Sequence, residues 1–162
     1  EFEKSPDEVI ATEQDLMKAL FGRDALSPEF EQHENISLAG QANTPSGHPS
    51  LYAYVIEDPS DPETIAAMAI WFLNYSTWDG KHGVYLEDLY VRTQYRGQGM
   101  GKALLARLAQ VCIENDYSRF QWWVLDWNEP AIEVYRSIKA QAMDEWTVYR
   151  VSGQALIDLA GQ

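Results

Sequence analysis

Cysteine is nearly missing from this 162-residue chain, in which Cys112 stands alone. One thiol forms no internal disulfide, so a stapled secreted scaffold is excluded and a reducing, cytoplasmic setting is expected. Long apolar runs are missing too. None nears the ~18 residues that a membrane helix needs, and the polar opening EFEKSPDE does not read as a secretory leader. Basic side chains are scarce: 12 Lys and Arg stand against 25 Asp and Glu, a formal net charge of −13. So acidic a surface repels nucleic acid and anionic lipid and favours cationic partners. Metal-ligand spacing is absent, because His33, His48 and His82 are scattered through polar stretches and read as surface residues. No Ser–His–Asp or Cys–His set can be assembled.

What is present is ordinary for a globular protein: 46% hydrophobic and 23% charged residues. Length, and the lack of a linker, repeat or low-complexity run, point to one domain over residues 1–162. Thr12-Glu13-Gln14-Asp15 before Leu16-Met17 has the form of a helix start. A loop rich in Pro, Gly, Ser and Asn covers about residues 40–50. Residues 51–57 predict a strand, 58–62 a turn, 66–75 a central strand, and 84–91 its hairpin partner across the turn Trp78-Asp79-Gly80-Lys81. Leu104, Leu105, Leu108, Val111 and Cys112 recur at helical spacing within 102–115, which places the lone thiol in a core. A strand over 120–126, a short helix opened by Asn128-Glu129-Pro130, a strand over 146–151 and a closing helix over 154–159 complete the pattern. Trp122, Trp123 and Trp127 read as core packing in preference to a ligand cage.

Charge is unevenly placed. Residues 1–88 carry 17 acidic and four basic side chains, whereas 89–162 carry eight of each. Residues 89–113 have no Asp or Glu but include Arg92, Arg96, Lys102 and Arg107, so an acidic protein keeps one stretch where an anion is welcome. Inside that stretch lies Arg96-Gly97-Gln98-Gly99-Met100-Gly101-Lys102, between a strand and an amphipathic helix. Closely spaced glycines let backbone N–H groups converge on an anion at the positive end of a helix. A triphosphatase loop needs four residues between its glycines and Ser or Thr after the Lys; here there are three, and Ala103 follows. A dinucleotide fingerprint needs Gly where Lys102 stands.

The pattern Gln94/Arg96-Gly97-x-Gly99-x-Gly101 after Leu89-Tyr90-Val91 resembles the acetyl-CoA loop of the GCN5-related N-acetyltransferase superfamily. Trp78, Gly80-Lys81, Tyr85-Leu86-Glu87-Asp88, Trp127-Asn128-Glu129-Pro130 and Tyr135 make it similar to the spermidine/spermine (diamine) acetyltransferase branch, over nearly the whole chain. The resemblance implies an α/β fold: a mixed central sheet with splayed central strands flanked by helices. It also implies a first strand and most of a first helix ahead of residue 1. It departs at Lys139, where the family usually has Gly.

By the same resemblance, acetyl-CoA is the acetyl donor, and its pyrophosphate meets Arg96, Gly97, Gln98, Gly99, Met100, Gly101 and Lys102. Its pantetheine arm pairs with Leu89, Tyr90 and Val91 and touches Asn128 and Ala131. Phe2, Glu3, Trp78, Glu87 and Asp88 fall at substrate positions, Glu87 being the amine-binding base and Tyr135 the acid to the thiolate. Freeing the lone pair of an alkylammonium with a pKa near ~10.4 costs roughly 4–5 kcal/mol at pH 7, so a nearby carboxylate is needed. Glu87 and Asp88 point to opposite faces of a regular strand, and only a bulge brings both to one. Asp88 is equally well read as a structural partner, and Tyr135 as a residue that only packs or only hydrogen-bonds the sulfur.

The expected activity is acetylation of a polyamine or diamine by direct attack, in a homodimer. Other small amines form the alternative (a thialysine-like amino acid, an aminoglycoside or a peptide N-terminus). A non-catalytic acyl-CoA-binding regulator is a third reading, disfavoured by the presence of both Glu87 and Tyr135.

Overall fold

The computed structural model describes residues 12–14, Leu16, Leu20 and 51–161. The elements run β1 (Tyr52–Asp58), β2 (Asp61–Ser76), β3 (Lys81–Val91), a 3-10 turn (Thr93–Tyr95), α1 (Met100–Glu114), β4 (Arg119–Gln121), α2 (Glu129–Ser137) and α3 (Gly153–Ala160). They fall into two compact units, Glu1–Trp123 and Val124–Gln162. At the start, the Thr12 carbonyl accepts from the Leu16 N–H at 3.1 Å, the bond of a first helical turn.

In the first unit β1, β2 and β3 form an antiparallel meander, and the crossover through α1 returns β4 parallel to β3. The β1–β2 turn is shorter than the sequence predicts. The Asp58 carboxylate accepts from the Ser60 N–H (2.8 Å) and hydroxyl (2.9 Å), closing the chain around Pro59-Ser60 and starting β2 at Asp61. Cross-strand pairs share a face, so the register sorts side chains into two sets. Ala67, Ala69, Trp71, Val84 and Leu86 face α1, whose Leu104, Leu105, Leu108, Val111 and Cys112 close the core. Burial pushes the Cys112 thiol pKa up and keeps it protonated.

The opposite face carries Ile70, Phe72, Asn74, Tyr85 and Asp88. Here Asn74 donates to Gln121 at 2.9 Å and accepts from Arg119 Nε at 3.4 Å, strapping β2 to β4 over β3. Gly83 lies beneath the strap: a Cβ there would stand 2.5 Å from Asn74 Oδ1 and 2.9 Å from the Arg119 carbonyl oxygen. Only glycine lets the two strands be tied at that point.

The strand read over 120–126 stops at Gln121. Its ladder with β3 ends at Tyr85–Gln121, whereas β3 continues to Val91, so the two central strands part company there. The tryptophans beyond the split are correspondingly not core: Trp123 is 60% and Trp127 52% exposed. Trp122 is half-buried, with its ring 4.7 Å from that of Phe120. In the second unit, residues 146–151 form no strand, because no described strand pairs with them and an extended segment needs a ladder. The closing helix is found at Gly153–Ala160. Among the described residues no helix is long and apolar enough to cross a membrane.

Candidate active site

The glycine loop begins where β3 ends. Arg92 N–H donates to the Ala66 carbonyl at 3.0 Å, and Arg96 Nε donates back to the Val91 carbonyl at 3.0 Å. Gly97 (φ 76°) and Gly99 (φ 82°) both occupy the left-handed region, and a Cβ on either would meet nothing within 4 Å. These glycines are required by backbone conformation, not by crowding, and open space lies above them. Gly99 also caps α1, leaving the first-turn N–H groups of Met100, Gly101 and Lys102 without intrahelical acceptors. No acid lies in that turn, and Arg92, Arg96 and Lys102 are exposed and ion-paired with no described carboxylate. Gly101 differs from the other two. It is helical, and a Cβ there would lie 3.6 Å from Val91 Cγ2 and 4.0 Å from Leu89 Cδ2, in ordinary contact. The loop thus offers donors, positive charge and room, which is what a pyrophosphate needs.

Sequence reasoning missed what holds this loop in place. The Tyr95 hydroxyl donates to Asp58 in the β1–β2 turn. That bond and those from Ser60 hold the Asp58 carboxyl below its ordinary pKa, while the same bond, with some burial, raises the Tyr95 phenol. The Asx-turn signal around Asp58 was visible, but a partner 37 positions away is not a local signal.

The β2–β3 register slips between Ile70–Asp88 and Trp71–Leu86, which leaves Glu87 as the extra residue of a β-bulge. Leu86 shares the face of Trp71. Alternation carries Glu87 to the other face, and pairing with Ile70 places Asp88 on that same face. The bulge therefore brings both carboxylates to one side, the case a regular strand forbids. Both are exposed, and Asp88 has a further interaction of its own. Next to them, burial and the Glu87 charge push the Tyr85 hydroxyl up to about 12. On its β4 side β3 pairs with no described strand past Tyr85, and the Val91 carbonyl at its end accepts from Arg96 Nε.

In the second unit, Asn128 caps α2 and accepts from the Ala131 N–H at 3.4 Å through its side chain. Tyr135 lies seven positions later in the same helix and has a partner of its own. Burial alone raises its phenol pKa, so it holds its proton firmly at neutral pH. Lys139 takes the left-handed conformation (φ 63°). The Ala140 N–H donates to the Tyr135 carbonyl and the Lys139 N–H to that of Arg136, each at 3.0 Å. This is a Schellman ending, so the helix stop survives the exchange of Gly for Lys. α1 ends alike, with Asp116 (φ 56°) in that position.

Other expected site residues are not gathered here. Phe2 and Glu3 lie outside the described residues. Trp78 is 92% exposed on the β2–β3 turn. From Lys81 to Glu87 the strand advances six residues, about 20 Å, and the structure does not bring Trp78 to the carboxylates. Tyr90 is exposed at the loop end of β3. Among the described residues no group of three His, Cys, Asp or Glu side chains could hold a metal ion.

The model of the acetyltransferase (GNAT) family matches residues 14–138. The chain is similar to the thialysine N-epsilon-acetyltransferase of Bos taurus, 33% identical over 153 residues that cover 91% of this chain and 89% of that one. It is also similar to the human spermidine/spermine N(1)-acetyltransferase-like protein 1, at 31% identity over 121 residues, 70% of this chain and 17% of the other. Among solved structures, an integron cassette protein from the mobile metagenome of Vibrio cholerae superposes with a TM-score of 0.64 at 25% identity, covering 71% of this chain and 69% of that one. A four-stranded mixed sheet, a glycine-capped crossover helix and this family match lead to one conclusion: the chain belongs to the acetyltransferase (GNAT) family.

Proposed function

We propose that this chain, as a single N-acetyltransferase domain over 1–162, acetylates a terminal primary amine of a polyamine or diamine. Acetyl-CoA is the acetyl donor in this family and supplies the activated thioester. The glycine cradle from Arg96 to Lys102 fits its pyrophosphate, and the edge of β3 over Leu89, Tyr90 and Val91, which no described strand covers, fits an extended arm. Asn128 and Ala131 at the start of α2 belong to the same proposal as contacts of the arm, on the family resemblance alone.

The observation that carries the reading is the bulge at Glu87, which sets two carboxylates side by side on one face of the strand leading into the cradle. Glu87 binds the ammonium and takes its proton, directly or through one water, and Asp88 adds to the attraction. The Tyr135 hydroxyl, kept protonated by burial, donates to the departing sulfur. A second reading, a thialysine-like amino acid as acceptor, is favoured by the identity to the bovine protein over nine-tenths of this chain. A cytoplasmic homodimer belongs to the same proposal. Its homodimer part alone draws support from the apolar side chains of Trp146, Val148, Ile157 and Leu159, which are exposed in the isolated chain.

The test is turnover with acetyl-CoA against diamines, polyamines, thialysine and aminoglycosides. Tyr135→Phe should lower kcat about 100-fold or more with little change in the acetyl-CoA KM. Glu87→Gln should raise the amine KM and move the rate profile to higher pH. Activity confined to aminoglycosides sinks the substrate assignment, and an undiminished Tyr135→Phe rate removes the acid.

A further inference from the structure

Where β4 parts from β3, an aromatic row comes to the surface. Phe72 and Tyr85 are cross-strand partners with ring centroids 4.9 Å apart. The Trp123 ring stands edge-on to Tyr85, at 5.8 Å and an interplanar angle of 88°. Phe72 and Tyr85 are half-buried, whereas most of the Trp123 surface is open to solvent. The face that carries this row is the one to which the bulge turns Glu87 and Asp88. An indole that served only the core would be covered. This one ends a row whose inner members are packed, and Tyr85, against which it stands, shares its strand face with Glu87 and Asp88.

Such a surface has a chemical complement. Aromatic faces attract ammonium groups and the polarised methylenes beside them, and a carboxylate at one end fixes which nitrogen is held there. Tyr85 and Glu87 are two residues apart along the strand, about 7 Å, the span of a short alkyl chain. The neutral Tyr85 hydroxyl adds no charge of its own to repel the carboxylates or the ligand.

We propose that Trp123, backed by Tyr85 and Phe72, is a specificity-determining wall for the stem of the amine substrate. The acceptor's reacting ammonium sits at Glu87, and its alkyl or thioalkyl stem lies along the indole. The proposal rests on the assignment of Glu87 to the amine. It adds that acceptors are selected by stem length, with short amines disfavoured because they cannot reach the ring.

The experiment is steady-state kinetics of the full chain with acetyl-CoA and a series of linear diamines of two to five carbons, together with thialysine. Trp123→Ala should raise the amine KM about 3- to 30-fold for the long members. The two-carbon amine, the acetyl-CoA KM and kcat at saturating amine should stay nearly constant. Trp123→Phe should restore most of the loss, and Trp123→Leu, which keeps apolar bulk without an aromatic face, should not. If Trp123→Ala does not fold, the Phe and Leu variants decide between them. An amine KM unchanged in the variants, or raised equally at every stem length, overturns the wall and leaves the Glu87 assignment standing. Failure of the wild-type chain to acetylate any of these amines overturns both.

Discussion

Gly99 and Gly101 sit two residues apart, and the structure gives opposite expectations for replacing them with Ala. Gly99 has φ 82°, where an L side chain is strained, yet a Cβ would meet nothing within 4 Å. The strain is therefore purely conformational, about 1–2 kcal/mol. For a chain of this size that is a fall in Tm of roughly 2–8 °C. Gly101 is helical, and its Cβ would rest at ordinary distance on Val91 and Leu89. Ala there should leave stability unchanged or raise it by up to ~1 kcal/mol through helix propensity. Binding should split the same way. A Cβ on Gly99 projects into the open space above the loop, whereas one on Gly101 points down onto β3. Loss of even one hydrogen bond to a charged phosphate is worth about 1.5–3 kcal/mol, so Gly99→Ala should weaken acetyl-CoA binding roughly 10-fold or more. Gly101→Ala should stay within about 2-fold of wild type. Calorimetric titration of acetyl-CoA and thermal melts of the two variants check this. Equal damage from both would mean that the phosphates approach from the β3 side of the helix, and the cradle as described would be wrong.

Lys139→Gly should stabilise the protein by about 1 kcal/mol in a denaturant titration, because the Schellman ending is already formed and only the left-handed strain of a lysine is removed. A loss of stability would show that the lysine side chain holds that turn. Tyr95→Phe should raise the acetyl-CoA KM with kcat nearly kept, since the phenol's bond to Asp58 anchors the loop and touches no reacting atom. The pH dependence has a definite sign. Asp58's depressed pKa makes its contribution full above the unfolded carboxylate value near ~4 and lost as pH falls through the folded one. Tyr95's raised pKa makes its contribution full below the unfolded value near ~10 and lost as pH rises through the folded one. Wild type and Tyr95→Phe should therefore differ most between those limits. A difference that persists unchanged after the folded-state Asp58 carboxylate has been protonated refutes the anchor.

The elements that local chemistry determines were legible in the sequence. The continuous apolar run over 66–75, its return over 84–91 across the Gly80 turn, and the helical spacing of Leu104, Leu108 and Val111 each state their own structure, and each was found. What failed depended on neighbours. Residues 122–126 have strand-like composition, but whether they pair is decided by how far β3 and β4 diverge, which no local pattern encodes. Trp123 reads as core for the same reason, since an aromatic just past a split looks like one just before it. At the site, the loop was legible because positive φ needs glycine. The bulge at Glu87 was not, because it is a property of register between two strands. Without it, Glu87 and Asp88 would face apart.

The net charge of −13 also reads differently in space than along the chain. Along the chain the acids cluster before position 89, and the acid-free stretch that welcomes an anion follows. Among the described residues, however, Glu57, Asp58, Asp61 and Glu63 stand at the β1–β2 turn, the end of the sheet where β3 gives way to the glycine loop. One of them, Asp58, serves to anchor that loop. Asp88 pairs with Ile70, nine residues from Asp61 along β2, about 30 Å away. At physiological ionic strength charges are screened over about 8 Å, so the acids of the turn barely act on an ammonium at the bulge. Among the described acids, Glu87 and Asp88 are therefore the two placed to act on an ammonium at the bulge, as the proposed function requires. Among the described residues, Arg92, Arg96 and Lys102 at the loop form no ion pair with these acids. On the proposed reading, local placement by one bulge and one anchored turn, more than bulk composition, would separate the amine end from the phosphate end.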